Sequence, residues 1–152
     1  MSSTIEPTIE RYAALRRQSL PGCLLARARS EPDGIAFRSK HLGLYRERTW
    51  QQYALLVARL TEGLARLGLD RGARVAIMGD ACEEWMIADA AAQACGAITY
   101  GIYPTASSSE VEYQMQNGGA CIFVAENQQY VDKILPIADR LPALKRDRKS
   151  VV

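Results

Sequence analysis

The sequence predicts an α/β fold: a partial layered fold with a parallel sheet built from βαβαβ units, helices on both faces of the sheet and a short antiparallel hairpin before it. Three apolar runs, at residues 73–78, 97–103 and 120–125, have the near-continuous hydrophobicity of buried parallel strands. A helical pattern lies between each run and the next, and this alternation is typical of a parallel sheet covered on both faces. Right-handed crossovers then fix the hand of the sheet.

The first part of the chain predicts helices followed by a hairpin. Apolar spacing favours a helix within residues 9–18, and Pro-Gly and Glu-Pro-Asp-Gly turn signals bracket a second short helix within residues 20–34. Residues 35–39 and 44–49 then predict two antiparallel strands joined by a turn at Gly43. We therefore expect N-terminal helices over residues 1–34 and the hairpin directly after them.

A long helix is the clearest local feature. Thr49 is placed to cap it, with Gln52 completing a capping box, and Gly68 is its natural end. Three- and four-residue steps predict one apolar face on this helix. That face consists of Tyr53, Leu56, Val57, Leu60, Leu64 and Leu67.

The strand-to-helix junctions carry further capping signals. Asp80 is predicted to cap the alanine-rich helix after the first strand, with Glu83 in the capping-box position. Pro104 closes the second strand, and the serines at 107–109 start the next helix. Pro136 is expected to bend or divide the last helix.

Composition disfavours several functional classes. Nineteen Lys and Arg against seventeen Asp and Glu give a formal charge of +2, and the scattered basic residues do not predict a nucleic-acid surface. The four cysteines form no C-x-x-C pair and there is one histidine, which argues against zinc. The thiols suit a reducing compartment, and no signal peptide or membrane-spanning run is evident. We therefore expect a cytoplasmic protein. Contact with a membrane surface stays an open alternative.

The sequence gives no residue a catalytic, cofactor-binding or metal-binding role. The turn at Gly79 and Asp80 has one glycine where a dinucleotide-binding loop needs three, and its acidic side chains would repel phosphate. The serines at 107–109 lack the lysine and glycines of a phosphate cradle. His41 has no positioned triad partner, and Trp50 and Trp85 at helix starts favour packing.

Short motifs recur in a fixed order along the chain, from Thr49-Trp50 through Tyr103-Pro104-Thr105 to Gly119-Ala120. With these motifs, roughly residues 20–145 resemble the N-terminal part of the AMP-forming acyl-CoA synthetases, a branch of the adenylate-forming enzymes. The segments GIYPT and EVEY, followed by VAENQQYVDKIL and LPALK, are similar to the long-chain fatty acid ligases in particular. The marks of the resemblance are Thr49-Trp50, Gly72, Glu84-Trp85, Gly96-Ala97, Tyr103-Pro104-Thr105 with Glu110, and Gly119-Ala120.

The resemblance implies ATP-dependent activation of a fatty acid to an acyl-adenylate, followed by thioester formation with coenzyme A. The full-length family uses ATP, Mg²⁺ and coenzyme A, and its phosphate-binding loop and its C-terminal catalytic domain have no counterpart in these residues. We therefore expect residues 35–145 to be a partial N-terminal domain, residues 146–152 to be an unrelated tail, and the chain to be a truncated fragment that is inactive alone and holds no cofactor.

Three alternatives stay open. The chain could be a non-catalytic α/β module that binds a nucleotide or an acyl chain, or a fragment that associates with itself or with other subunits through an exposed apolar surface. A third alternative is a ligase fragment from a branch that uses another carboxylic acid.

Overall fold

The computed structural model describes residues 19–145 and divides the chain into two compact units, residues 1–56 and residues 57–152. The helix expected within residues 9–18 and the tail at 146–152 lie outside the described residues. Helix α2, Trp50–Arg66, begins in the first unit and continues into the second. The domain limits proposed from the sequence, at residues 34 and 145, stay predictions.

The first unit contains helix α1, Leu20–Ser30, as expected. Its N-cap is Ser19, whose hydroxyl accepts a hydrogen bond from the Gly22 N–H at 3.2 Å. The Pro-Gly signal was expected to precede this helix, but Pro21 and Gly22 lie in its first turn. Proline is tolerated there because the first N–H groups of a helix have no partner within the helix.

A hairpin follows, formed by β1, Ile35–His41, and β2, Leu44–Thr49, which pair antiparallel. His41 pairs with Leu44, so the turn has two residues, Leu42 and Gly43, with φ angles of 49° and 83°. Two positive φ angles define a type I′ turn, whose twist matches that of the strands. The predicted hairpin and its turn at Gly43 are confirmed.

The start of α2 is fixed by the predicted capping box. The Gln52 N–H donates to Thr49 Oγ1 at 3.2 Å, and the Thr49 N–H donates to Gln52 Oε1 at 3.1 Å. Tyr53 in the first turn meets Phe37 edge to face, with ring centroids 5.1 Å apart. Trp50 lies under the guanidinium of Arg27, so it packs as expected.

The second unit is built on three parallel strands: β3, Arg74–Met78; β4, Ile98–Ile102; and β5, Ile122–Ala125. Their order is β4-β3-β5, and Val75 pairs with Thr99 on one side and with Ile122 on the other. This confirms the predicted parallel α/β fold. Burial is nearly complete only in the central strand: Val75, Ala76, Ile77 and Met78 are at most 2% exposed, whereas β4 and β5 are only partly buried.

Helices cover the two faces of this sheet. They are α3, Glu83–Ala94; α4, Ser108–Gly118; α5, Gln128–Ile134; and a 3₁₀ helix, Leu135–Arg140. Ala76 and Met78 face a cluster from α4, α5 and the 3₁₀ helix, which includes Val111, Met115, Ile134 and Ile137. Side chains alternate along a strand, so Val75 and Ile77 point to the opposite face, and the buried alanines of α3 pack on that side.

Of the remaining predictions about the helices, some are confirmed and others are wrong. Pro136 separates α5 from the 3₁₀ helix, and Ser107 caps α4, as predicted. Asp80 does not cap α3, whose N-cap residue is Cys82. On α2 the predicted apolar face is too wide, because Leu60 and Leu67 are 37% and 43% exposed. Thr61 lies on the buried side instead and donates its hydroxyl to the Val57 carbonyl at 2.7 Å.

Leu42 generates a prediction about the hairpin. A leucine at positive φ is disfavoured by contact between its Cβ and the backbone, and this residue is 90% exposed, so packing does not compensate. Asparagine tolerates this conformation, and Asn-Gly suits a type I′ turn. We expect Leu42→Asn to slow amide hydrogen exchange in β1 and β2, reflecting about 1 kcal/mol. Gly43→Ala, the control, should speed exchange; faster exchange in Leu42→Asn would contradict the account.

Two helix glycines form a matched pair. A Cβ at Gly118 would collide with the Tyr100 hydroxyl and lie 2.6 Å from Tyr100 Cζ, whereas a Cβ at Gly63 meets no described atom within 4 Å. We expect Gly118→Ala to lower the free energy of unfolding by about 1–3 kcal/mol through overpacking. Gly63→Ala should raise it by about 0.5–1 kcal/mol through helix propensity. Urea unfolding measures both, and equal effects would contradict the close packing at Tyr100.

Candidate functional site

The candidate site lies at the carboxyl edge of the parallel sheet. In open α/β sheets, ligands bind outside the carboxyl ends of the strands, where successive crossovers leave in opposite directions. Here the chain runs from β3 to β4 on one side and then to β5 on the other side of β3. The crevice therefore lies between the loops that follow β3 and β5.

Glu126 fills this crevice. It follows β5, its N–H donates to the Met78 carbonyl at 3.0 Å, and its Oε2 accepts from the Asp80 N–H at 2.6 Å. A Cβ on Gly79 would lie 2.9 Å from Glu126 Cβ and Oε2, so the approach requires glycine at this position. The backbone N–H that could bind an anionic ligand at this turn is bonded to the protein's own carboxylate.

Cys82 lies beside the same loops, at the N-cap of α3. Burial raises the pKa of its thiol, and Glu84 and Glu126 raise it further, while a backbone hydrogen bond with Trp85 opposes them. A raised thiol pKa means that the neutral form dominates near neutral pH, which is the opposite of an activated nucleophile. The Cys82 thiol is therefore a structural group beside two carboxylates, Glu84 and Glu126.

The loop after β4 is closed in a similar way. The Lys133 ammonium donates to the carbonyls of Pro104 and Ala106, at 2.7 Å each. At the start of α4, the Ser107 N–H donates to Glu110 Oε2 at 2.7 Å, and the Glu110 N–H donates to Ser107 Oγ at 3.4 Å. The predicted cap by a serine is thus completed as a capping box, and the hydrogen bonds from the Ser107 backbone and hydroxyl lower the pKa of Glu110.

Three donors at this edge are already bonded within the protein. Phosphate binding needs free backbone donors or cations. The Asp80 N–H, the Lys133 ammonium and the Ser107 N–H are each bonded to protein oxygens. Within residues 19–145, no cluster of three or more His, Cys, Asp or Glu side chains is arranged to hold a metal ion.

A pocket of about 340 Å³ lies at the opposite, amino edge of the sheet. Its lining consists of Met115, Gln116, Ala120, Arg140, Leu141, Pro142 and Ala143. The Arg140 guanidinium that borders it makes two hydrogen bonds to the Glu112 carboxylate, at 2.6 and 2.7 Å. This ion pair joins α4 to the 3₁₀ helix, so the polar wall of the pocket is a structural contact.

The residues weighed from the sequence have varied outcomes. Asp80 is in the crevice but contributes its N–H rather than a cap, and the Ser107 capping role is confirmed. His41 ends β1, and its side chain lies outside the description. Sequence reasoning missed Glu126 and Lys133. The only signal for Glu126 was its place directly after an apolar strand, and Lys133 had none.

Comparison with known proteins decides the family. The profile of the family described as AMP-binding enzyme matches residues 24–151. The chain belongs to the AMP-binding enzyme family. The predicted resemblance to AMP-forming acyl-CoA synthetases is confirmed by this match and by the relatives that follow.

The chain is similar to the long-chain-fatty-acid–CoA ligase ACSBG2 of Xenopus laevis, with 38% identity over 113 residues, 74% of this chain and 15% of that ligase. A solved structure from Rhodopseudomonas palustris, described as a long-chain-fatty-acid CoA ligase, matches with a TM-score of 0.75 and 26% identity, over 85% of this chain and 32% of that one. The anthranilate CoA ligase AuaEII, in complex with anthranoyl-AMP, matches with a TM-score of 0.62 and 26% identity, over 65% and 19% of the two chains. This chain thus spans a third or less of each of these relatives.

The contact between Gly79 and Glu126 generates a prediction. We expect Gly79→Ala to lower the free energy of unfolding by about 1–3 kcal/mol, because the new methyl group overlaps Glu126 Cβ. In the double variant with Glu126→Gly, which removes that Cβ, the cost should be less than the sum of the single costs. Glu126→Gln keeps the Cβ and serves as the control. Additive costs for Gly79→Ala and Glu126→Gly would show that the two residues do not meet.

The capping box generates a pH prediction. The pKa of Glu110 is lower in the folded chain than its unfolded value of about 4.3, so its stabilisation is present above that value and is lost as the pH falls through the folded pKa. Glutamine also completes a capping box but does not titrate. Between about pH 5 and about pH 2, the wild-type urea midpoint should fall more than that of Glu110→Gln. Parallel curves would contradict the assignment, and Ser107→Ala should reduce the wild-type pH dependence.

Proposed function

We propose that this chain forms part of the scaffold of a long-chain fatty acid–CoA ligase and does not catalyse the reaction alone. The similarity to ACSBG2 over 113 residues supports the substrate class. The closed carboxyl edge supports the scaffold role, because the donors that a phosphate would need are bonded within the protein. The whole enzyme would convert a fatty acid, ATP and coenzyme A to the acyl-CoA, AMP and pyrophosphate, with Mg²⁺ as the cation of the ATP.

The scaffold supports the rest of such an enzyme through its rigid sheet. Strand β3 is buried between two neighbours, and each loop at the carboxyl edge is tied to another element by a hydrogen bond. Fixed loops can hold adjoining parts of a longer polypeptide in register. In this proposal the ATP, Mg²⁺ and coenzyme A sites lie outside the described residues.

A second substrate class has its own support. AuaEII, an anthranilate CoA ligase, shares 26% identity with this chain, so a ligase that uses another carboxylic acid is the runner-up. The proposed location is the cytoplasm, with peripheral contact to a membrane, where fatty acids partition. No helix described within residues 19–145 has the length and apolarity to cross a bilayer.

Self-association is a further part of the proposal. Ile98 on the edge strand β4 is 56% exposed, and Tyr113 and Leu135 are 68% and 60% exposed. Apolar side chains left at the surface of a partial sheet favour association between copies. A concentration-dependent sedimentation coefficient supports this part, and a monomer at all concentrations contradicts it.

Pyrophosphate release tests the scaffold proposal. The purified 152-residue chain with ATP, Mg²⁺, coenzyme A and palmitate should release no more pyrophosphate than the reaction without palmitate. Calorimetry with ATP, AMP, coenzyme A or palmitate should give no saturable heat. Turnover by this chain, or saturable binding of any of the four, would contradict the scaffold role.

A chimera tests the scaffold role. Replacing the matching 113 residues of ACSBG2 with those of this chain should keep ligase activity with palmitate. The control chimera carries Ala76→Asp, which places a charge in the sheet core and should abolish activity. Loss of activity in the chimera without Ala76→Asp would contradict a scaffold role in a long-chain ligase.

A further inference from the structure

The tip of the β1–β2 hairpin presents apolar side chains to solvent. Leu42 is 90% exposed, Leu44 is 73% exposed and Tyr45 is 70% exposed. They are close together because Leu42 lies in the two-residue turn and the other two begin β2. Three large apolar residues in four consecutive positions, all in water, are unfavourable unless another surface covers them.

Backbone conformation makes Leu42 more unusual. Its φ of 49° is the only positive φ among the described residues other than glycine. Asparagine, aspartate or glycine would fit the first position of this turn without that strain. Neither local conformation nor packing accounts for a leucine here, and strained residues of this kind concentrate at functional sites.

Basic side chains flank the apolar tip. Lys40 pairs across the strands with Tyr45, and Arg46 follows it, and both cations are exposed. The nearest acidic residue on these strands, Glu47, is engaged by Arg38 at 2.8 Å. The tip therefore has an apolar end flanked by the cations of Lys40 and Arg46. The carboxylate of Glu47, just beyond the tip, is paired with Arg38.

We propose that this hairpin tip, residues 40–46, is a membrane-contact element that inserts its apolar end into an anionic lipid surface. Leucine enters the boundary between headgroups and acyl chains, tyrosine suits the interface, and lysine and arginine attract anionic headgroups. A second copy of the chain is a poorer occupant, because a stable dimer buries about 1,200 Å² or more and this tip offers three side chains.

The inference deepens the proposed peripheral membrane contact and rests on that part of the proposed function. It is measured by lipid binding rather than by pyrophosphate release, so either can fail without the other. The experiment is co-sedimentation of the whole chain with vesicles of phosphatidylglycerol and phosphatidylcholine in equal amounts. Vesicles of phosphatidylcholine alone are the charge control.

Leu42→Asn is the decisive variant. It should lower the partition coefficient onto anionic vesicles about tenfold, through loss of one inserted leucine, while slowing amide exchange in the hairpin. A purely structural role for Leu42 would couple lower hairpin stability to weaker binding, so the opposite signs separate the two accounts. Leu25→Ser, at an exposed leucine of α1, is the matched control and should bind as wild type does.

Variants of Lys40 and Arg46 test the electrostatic part of lipid binding independently. Lys40→Gln and Arg46→Gln should each lower binding about fivefold, and binding should weaken as salt is raised. Arg59→Gln, at an exposed arginine of α2, is the control. The proposal is overturned if the wild-type chain does not bind anionic vesicles, or if Leu42→Asn binds them as well as the wild type does. It is also overturned if the variants at residues 40–46 abolish dimers and leave lipid binding unchanged.

Discussion

Strand β3 is the structural centre of the second unit, since its last four residues are removed from water and both of its edges are hydrogen-bonded. Buried backbone N–H and C=O groups need partners, so β3 is stable only while β4 and β5 lie on either side of it. The small side chain of Ala76 and the alanines of α3 let helices approach closely. Pairing on both sides also brings the loops after β3 and β5 together, which creates the crevice that Glu126 fills.

The carboxyl edge is shaped by internal hydrogen bonds. Glu126 holds the loop after β3, Lys133 holds the loop after β4, and the Ser107 capping box holds the start of α4. Each bond uses a donor that a phosphate ligand would otherwise need. At this edge of the described chain, the loops are therefore held to neighbouring elements by hydrogen bonds within the protein.

Local signals in the sequence predicted most of the fold. The three apolar runs, the turn at Gly43, the capping box at Thr49 and the serine cap at Ser107 depend on residues within a few positions of one another. The predicted cap at Asp80 was wrong because α3 begins only at Glu83, with Cys82 as its N-cap. The Asp80 N–H is instead bound by Glu126, which lies 46 residues away in the sequence. Lys133 was missed for the same reason: its partners, at Pro104 and Ala106, are brought close only by the folded chain.

The pairing of β3 with both neighbours is best tested by nuclear Overhauser effects between backbone protons in the 152-residue chain. The account predicts contacts of parallel strands from Val75 to the vicinity of Thr99 and of Ile122, and the slowest amide exchange of the sheet in β3. Antiparallel contacts, or contacts of β3 with only one of the two strands, would contradict it. Such a result would remove the geometric basis for the crevice at Glu126.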